Sequence, residues 1–270
     1  MFYFFRILSS MAVILAPMGF VASSNANVIA HYSFDGSVTA DSSGNGYDLS
    51  AGGGGPTSVG GQFGNAADFD GSSFLYLNGA SNSNFNIGGG TFALSFWYQS
   101  DGSAFMPLVG KNNSNADQGY ATFASGSQVG GDLRDGTSGT VSAARPTDDG
   151  SVFHHIVYQS TGLTQQLYLD GILQATSGTF FPNDAGNAFA IGSRNISTSG
   201  AQNSGGASQK LDGRIDEVWV FDRALISDEI SNLNEFNSID GQQVPEPGTI
   251  ALLGLGLIGL RLGMRRKQQN

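Results

Sequence analysis

Residues 165–173 read Gln-Gln-Leu-Tyr-Leu-Asp-Gly-Ile-Leu, two apolar stretches separated by an Asp-Gly pair. An Asp-Gly pair in this position is typical of a two-residue type I′ turn, which joins antiparallel strands. Nearer the N-terminus, apolar side chains recur at every second position, at Phe92, Leu94, Phe96 and Tyr98, so they should line one face of a strand. Many such short stretches, joined by turns rich in the chain's 40 glycines, predict an all-β sandwich.

One short helix is predicted near the end of the domain. Ser227-Asp228-Glu229 is suited to cap and charge a first turn, and apolar residues recur at helical spacing at Ile230, Leu233 and Phe236. No internal repeat or second domain is evident. We therefore expect one sandwich of two antiparallel sheets over residues 27–240.

The composition excludes several kinds of site. The chain has no cysteine, so it has no disulfide, thiolate metal site or cysteine nucleophile. The whole chain has 12 Lys and Arg and 22 Asp and Glu, and setting the two ends aside leaves 7 basic and 21 acidic residues over 27–244, a net charge of −14. Nucleic acid is not an expected partner, because phosphate binding needs a basic surface. The acidity either serves solubility or includes carboxylates that bind calcium.

The N-terminus reads as an export signal. Arg6 precedes the apolar run Ile7 to Phe20, and Ser24-Asn25-Ala26 fits the small-residue cleavage rule. Residues 1–26 are therefore predicted to be a signal peptide. A signal anchor is the alternative, but the apolar run is short for a membrane span.

The C-terminal residues 241–270 contain three parts in order. Pro245-Glu246-Pro247 is followed by an uncharged apolar run and then by Arg265-Arg266-Lys267. A transmembrane helix over about 248–264 would measure about 25 Å, which is short for a bilayer core of about 30 Å. Its basic end should stay cytoplasmic by the positive-inside rule.

This tail resembles the PEP-CTERM sorting signal of Gram-negative bacteria. In that family an exosortase recognises and removes the tail, and the hosts usually make exopolysaccharide. The resemblance implies an exported protein of the cell surface or extracellular matrix that is transiently anchored in the inner membrane. A permanent tail anchor is the alternative.

The region from Val28 to Phe236 resembles the bacterial laminin-G-like, concanavalin-A-like jelly-roll family. The segments that carry the resemblance are His31-Tyr32-Ser33-Phe34-Asp35-Gly36, Asp41-Ser42-Ser43-Gly44-Asn45-Gly46, Phe63-Gly64-Asn65-Ala66, Phe69-Asp70-Gly71, Phe92 to Trp97, His154 to Val157, Leu167 to Gly171, Asp212 to Val218 and Asp222 to Leu225. Phe153 departs from the family, which usually has tryptophan there. Family members bind carbohydrates, proteins or nothing known, so the fold alone does not give the function.

Glycoside hydrolases share this fold, which makes hydrolysis a rival hypothesis. Retaining hydrolysis needs two carboxylates about 5–5.5 Å apart, and the Glu-x-Asp-x-x-Glu pattern of such enzymes is missing from the sequence. Asp216 and Glu217 are adjacent, as are His154 and His155, so each pair should point to opposite faces of a strand. We therefore expect no enzymatic activity.

The sequence favours a non-catalytic surface or matrix protein that binds polysaccharide or another surface component. The alternatives are a polysaccharide-acting hydrolase or lyase and a purely structural matrix protein. Most aromatic residues should belong to the core. The aromatic candidates for stacking on sugar rings are Tyr47, Phe105, Tyr120 and Trp219.

A structural calcium ion is the expected cofactor. In the family that the sequence resembles, the first and last strands lie close together, which would bring Asp35 near Asp216. Calcium takes 6–8 oxygen ligands, and carbonyls of the Asp41 to Gly46 turn would complete the shell. The alternative is that these acids are ordinary turn and strand-edge residues.

Sorting can be tested on the mature protein of the native host. We expect mass spectrometry to find no peptide beyond about Gly248, because an exosortase would have removed the tail. A host without an exosortase should leave the protein membrane-bound. Recovery of intact Arg265-Arg266-Lys267 from the mature surface protein would contradict this prediction.

Overall fold

The structure, a computed structural model, describes residues 28–86, 90–100, 102–113, 118–135, 138–178, 186–201 and 209–240. The predicted signal peptide and the predicted sorting tail, with its membrane segment 248–264, lie outside the described residues. Within the described ranges, no helix is long and apolar enough to cross a membrane. These ranges contain fifteen strands, a 3-10 helix η1 (Gly79–Phe85) and an α-helix α1 (Ser227–Phe236).

The strands form two antiparallel sheets packed face to face. The first sheet has eight strands, which are β1 (Val28–Tyr32), β3 (Thr57–Gly60), β4 (Asn65–Asp70), β6 (Thr91–Gln99), β11 (His154–Thr161), β12 (Thr164–Leu169), β13 (Ile172–Gly178) and β15 (Asp212–Phe221). The second sheet has seven strands, which are β2 (Leu49–Gly52), β5 (Phe74–Leu77), β7 (Met106–Asn113), β8 (Gln118–Ala124), β9 (Gln128–Asp135), β10 (Ser138–Ala144) and β14 (Phe189–Ile191). The predicted jelly-roll sandwich is confirmed.

The alternating strand β6 lies at the centre of the first sheet. It pairs with β11 along one edge and with β15 along the other. Phe92, Leu94, Phe96 and Tyr98 are all fully buried between the two sheets, as predicted. Burial of one large apolar side chain contributes about 1.5–3 kcal/mol, so this strand is a major source of the domain's stability.

Helix α1 covers part of the outer face of the first sheet. Ile230 and Leu233 are buried there against Ala93, Val157 and Phe221. These three residues lie on β6, β11 and β15, on the face that points away from the inter-sheet core. The helix therefore leaves less of this face open to a ligand.

The first turn of α1 is charged as predicted, but its cap differs from the prediction. Asp228 and Glu229 lie in the first turn. The N-cap is Ile226 rather than Ser227, and the Ile226 N–H donates to Oε2 of Glu229 at 3.0 Å. Isoleucine has no side-chain acceptor, so the glutamate at the third helical position satisfies the backbone instead.

Asp170 and Gly171 form the predicted hairpin turn between β12 and β13. The φ angle is +51° at Asp170 and +76° at Gly171, as a type I′ turn requires. The Asp170 carboxylate accepts a hydrogen bond from the His155 N–H at 2.9 Å and lies 2.8 Å from Nδ1 of His154. Asp170 therefore ties the turn to the start of β11.

We expect Gly171→Val to destabilise the domain by about 1 kcal/mol or more, because a β-branched residue is strained at positive φ. An ideal Cβ at Gly171 would meet Asn234 only at ordinary contact distances of 3.6 Å and beyond, so the cost comes from the backbone. Gly178→Val is the matched control, because a Cβ at Gly178 meets nothing within 4 Å. Thermal unfolding measures both variants, and equal melting temperatures would contradict the prediction.

Candidate functional site

The outer face of the second sheet is the broad strand surface that α1 does not cover. On β8 and β9, Tyr120 and Leu133 belong to the inter-sheet core. Side chains alternate along a strand, so Phe123, Asp132 and Arg134 point to the outer face. These three residues form the centre of the candidate site.

A stack of two rings and a guanidinium lies on this face. The rings of Phe105 and Phe123 are stacked with centroids 5.2 Å apart and planes 19° apart. Cζ of Arg194 lies 4.8 Å from the Phe105 centroid, which is a cation–π distance. A Cβ added at Gly130 would lie 2.8 Å from Cζ of Phe123, so glycine lets this ring lie flat on β9.

Charged residues continue from the stack along β9. Nε of Arg134 donates to Oδ2 of Asp132 at 2.6 Å, and Oγ1 of Thr140 donates to Oδ1 at 3.2 Å. Partial burial lowers the pKa of the Arg194 guanidinium, the charge of Arg134 lowers it further, and Asp132 only partly offsets both. We call Phe105, Phe123, Asp132, Arg134 and Arg194 the aromatic–cationic patch.

A second cation–aromatic contact lies further across the same face. Nζ of Lys210 is 5.0 Å from the Phe74 centroid, and Phe74 packs with Tyr76 in a cluster separate from the main core. Lys210 pairs with Ser193 through an isolated bridge, and Ser193 precedes Arg194 in the chain. The loop after β14 therefore links this contact to the aromatic–cationic patch.

Of the four aromatic candidates named from the sequence, only Phe105 lies in the patch. Tyr120 is 2% exposed and its hydroxyl donates to the Phe85 carbonyl at 3.0 Å, so it cannot stack on a sugar. Trp219 is stacked on His31 with centroids 3.5 Å apart. Tyr47 lines a separate cavity of about 410 Å³.

The sequence reasoning missed Phe123 and Arg194. The alternation within β8 is a signal for Phe123, because Tyr120 and Ala124 are core residues and Phe123 is out of phase with them. Arg194 has no local signal. Its position over Phe105 depends on the fold, which brings together residues far apart in the chain.

Asp35 and Asp216, the two acids of the expected calcium site, contact the same turn. The Asn65 N–H donates to Oδ1 of Asp35 at 2.8 Å, and the Phe63 N–H donates to Oδ2 of Asp216 at 3.0 Å. A Cβ at Gly64 would overlap the Asp35 carboxylate, and one at Gly61 would overlap that of Asp216. The turn therefore fits closely around both acids.

Asp216 is a buried carboxylate with incomplete hydrogen bonding. It is fully buried, and its Oδ1 has no hydrogen-bond partner within the described part of the chain. Burial raises the pKa of Asp216 to about 7, and the nearby charge of Glu217 adds to the shift. An orphaned buried oxygen of this kind fits a hard cation, which takes oxygen ligands.

The Asp41 to Gly46 turn, whose carbonyls were expected to complete the shell, is held together by its own hydrogen bonds. The Asp41 carboxylate accepts backbone N–H groups of His31, Ser43 and Tyr47, so it organises its own turn. The turn that contacts both Asp35 and Asp216 is residues 61–65. Among the described residues, no three His, Cys, Asp or Glu side chains are grouped to hold a metal, so bound calcium would need backbone or water oxygens.

The two adjacent carboxylates Asp216 and Glu217, and the two adjacent histidines, point in different directions, as predicted. Glu217 Oε2 lies 2.5 Å from Nε2 of His31, away from the turn that Asp216 contacts. His155 Nε2 lies 2.8 Å from Oγ of Ser95, while its neighbour His154 faces Asp170. Burial lowers the pKa of His155 to about 3, so the ring stays neutral.

Comparison with known families adds two matches. The model of the concanavalin A-like lectin/glucanases superfamily matches residues 76–231, more than half of the chain. The model of the PEP-CTERM protein-sorting motif matches residues 243–267. A search of curated proteins finds no significant match.

Solved structures with this fold include several binding domains. Domain 4 of an extracellular arabinanase from Geobacillus stearothermophilus, solved in complex with arabinotriose, has a TM-score of 0.60 and 18% identity, and the match covers 78% of this chain and 99% of that one. The binding domain of Paraclostridial mosquitocidal protein 1 has a TM-score of 0.58 and 16% identity over 77% of this chain and 52% of that one.

A botulinum neurotoxin type C structure, described with cell entry dependent upon interaction with two ganglioside molecules, has a TM-score of 0.57 and 11% identity, covering 79% of this chain and 51% of that one. The chain thus spans about half the length of the two toxin chains. At these identities the likenesses show a shared fold.

Proposed function

Since the chain belongs to the concanavalin A-like lectin/glucanases superfamily and carries a PEP-CTERM sorting motif, we propose that it is a non-catalytic polysaccharide-binding protein of a bacterial surface or matrix. The binding surface is the outer face of the second sheet, centred on Phe105. The observation that carries the proposal is the half-buried Phe105–Phe123 stack on a face that α1 leaves uncovered. Aromatic rings beside a few polar groups are typical of saccharide and other small-molecule sites.

The hydrogen bonding of Asp132, the carboxylate in the patch, favours binding over hydrolysis. A retaining hydrolase needs a nucleophile and an acid about 5–5.5 Å apart. Asp132 instead accepts hydrogen bonds from Arg134 and Thr140, which holds it as a structural acceptor. Asp216 and Glu217 point in different directions and contact the 61–65 turn and His31.

The relatives support the same proposal at the level of fold. One is a domain of an arabinanase bound to arabinotriose, and others are toxin binding domains. The sorting motif supports a Gram-negative surface or matrix location, with an exosortase as a transient partner and the inner membrane as a transient anchor. A signal peptide over residues 1–26 would start this route.

We also infer that a calcium ion joins the two ends of the domain at Asp35 and Asp216. The orphaned Oδ1 of Asp216 supports this site, as does the turn that fits around both carboxylates. Carbonyl oxygens of the 61–65 turn and water would complete the shell. The ion would be structural, because it joins the segment after β1 to β15 rather than lining the outer face of the second sheet.

Polysaccharide binding can be tested with Phe105→Ala. A glycan array should first identify a polysaccharide that the purified protein retains. Phe105→Ala should then weaken its binding about tenfold, because an aromatic hot spot typically contributes more than 1 kcal/mol. Isothermal titration calorimetry measures the affinity, and thermal unfolding checks that the variant is folded.

Phe236→Ala is the matched control for Phe105→Ala. Phe236 is 41% exposed on α1, against the other sheet, so its removal should leave the affinity unchanged. No retention of any polysaccharide would contradict the binding proposal and favour a structural matrix protein. Release of new reducing ends during incubation would contradict the non-catalytic assignment.

Calcium binding can be tested by thermal unfolding with EDTA and with millimolar calcium. At 100 times its Kd, an ion that binds only the folded state adds about 2.7 kcal/mol, or about 5–10 °C in melting temperature for a domain of this size. Asp216→Asn should abolish the shift, whereas Asp212→Asn on the same strand should retain it. Identical curves with EDTA and calcium would contradict the site, as would a shift that survives in Asp216→Asn.

A further inference from the structure

We propose, resting on the binding function above, that the outer face of the second sheet selects anionic polysaccharide. Arg134, Arg194 and Lys210 lie across this face beside Phe105 and Phe74. Such a surface fits a polymer that stacks one sugar ring on the half-buried Phe105 while its carboxylate or sulfate groups contact the cations.

The distribution of positive charge makes this face unusual within the domain. Only 7 basic residues stand against 21 acidic ones over 27–244, yet three of the seven lie here. All three are half-buried, and two of them contact an aromatic ring. Concentration of the scarce cations on one sheet face points to a ligand of opposite charge.

The other four basic residues have structural surroundings. Arg145 donates to the carbonyls of neighbouring loops, and Lys111 is 3% exposed. Arg214 donates to Asp68 at 3.0 Å, and Arg223 donates to Glu229 at 2.6 Å. Arg134 likewise pairs with Asp132, so Arg194 and Lys210, which lie over aromatic rings, are the cations on which the inference mainly depends.

Arg194 lies in an environment that disfavours its positive charge, and burial has the same effect on Lys210. The positive charge of Arg134 and partial burial both lower the pKa of Arg194, and partial burial lowers that of Lys210. Asp132 offsets this only in part. A bound carboxylate or sulfate would stabilise these partly desolvated cations, Arg194 over Phe105 above all, so an anionic ligand gains more than a neutral one.

The face is long enough for several sugar units. The patch begins on β9, and the Lys210–Phe74 contact lies on β5, with β8, β7 and β14 between them. Neighbouring strands are about 4.8 Å apart, so β9 and β5 are about 19 Å apart across the face. An extended polymer spans this distance, whereas a single charged sugar does not.

The domain's overall acidity does not prevent this binding at physiological salt. The Debye length is about 8 Å at 0.15 M ionic strength. Acidic residues on the opposite sheet and at the loops beyond this range are therefore largely screened. The affinity for a charged ligand is therefore determined mainly by the charges on this face.

The test uses one polymer backbone with three charge states. The purified protein is titrated at 0.15 M salt with dextran, carboxymethyl dextran and dextran sulfate, so that charge is the only variable. We expect at least about tenfold tighter binding of one or both anionic polymers, since a charge-assisted hydrogen bond is about twice as strong as a neutral one. The two anionic arms distinguish a carboxylate from a sulfate ligand.

Charge-removing variants locate the binding. Arg194→Gln and Arg134→Gln should each reduce binding of the anionic polymer about tenfold, and Arg194→Lys should recover most of the loss. Arg214→Gln removes the same charge from the first sheet and should change the affinity less than about twofold, as for an exposed ion pair. Thermal unfolding shows whether each variant is folded. If Arg194→Gln does not fold, Arg134→Gln provides the test of charge removal.

The outcomes separate this inference from the proposed function. Equal affinity for dextran and its anionic derivatives would overturn the anionic preference and leave polysaccharide binding intact. Retention of no array glycan and no dextran derivative would overturn both. Anionic binding that Arg214→Gln weakens as much as Arg194→Gln does would overturn the inference, because the charge effect would then be non-specific.

Discussion

The fold depends on strand β15, which pairs with two different strands along the same edge. Residues Asp212 to Ile215 of β15 pair with β4, and residues Val218 to Phe221 pair with β1. The change of partner falls at Asp216 and Glu217, where the pairing with β6 is interrupted and Glu217 adopts a φ of +51°. The irregularity is a β-bulge, which re-aims side chains at the point where it interrupts the ladder.

That change of partner determines the chemistry at this end of the sandwich. It turns Asp216 into the 61–65 turn and Glu217 towards His31. Two adjacent carboxylates therefore never share a cleft. Both are buried, but Asp216 is incompletely bonded, whereas Glu217 contacts His31, which is stacked on Trp219. The same irregularity thus buries one carboxylate without a full set of hydrogen bonds and keeps the two carboxylates from facing the same side of the strand.

Features encoded within a few neighbouring residues were predictable from the sequence. The alternation of β6 and the Asp170-Gly171 turn needed only local periodicity and turn chemistry. The cap at Ile226 was missed because the Glu229 carboxylate, rather than a Ser227 side chain, accepts the hydrogen bond of the capping backbone N–H. The placement of Arg194 over Phe105 was missed because its cause is the order of strands in the second sheet, which no local pattern contains.

The pairing of β1 with β15 also has a kinetic consequence. Val28 lies opposite Phe221, so the first strand of the domain acquires its sheet partner only after nearly all of the domain has been synthesised. Contacts between such distant residues make for high contact order, and domains of this kind fold in milliseconds to seconds rather than microseconds. Until β15 has been synthesised, β1 is an apolar segment without its sheet partner. Proteins that bind the nascent chain therefore encounter β1 unpaired, when it must be protected from aggregation.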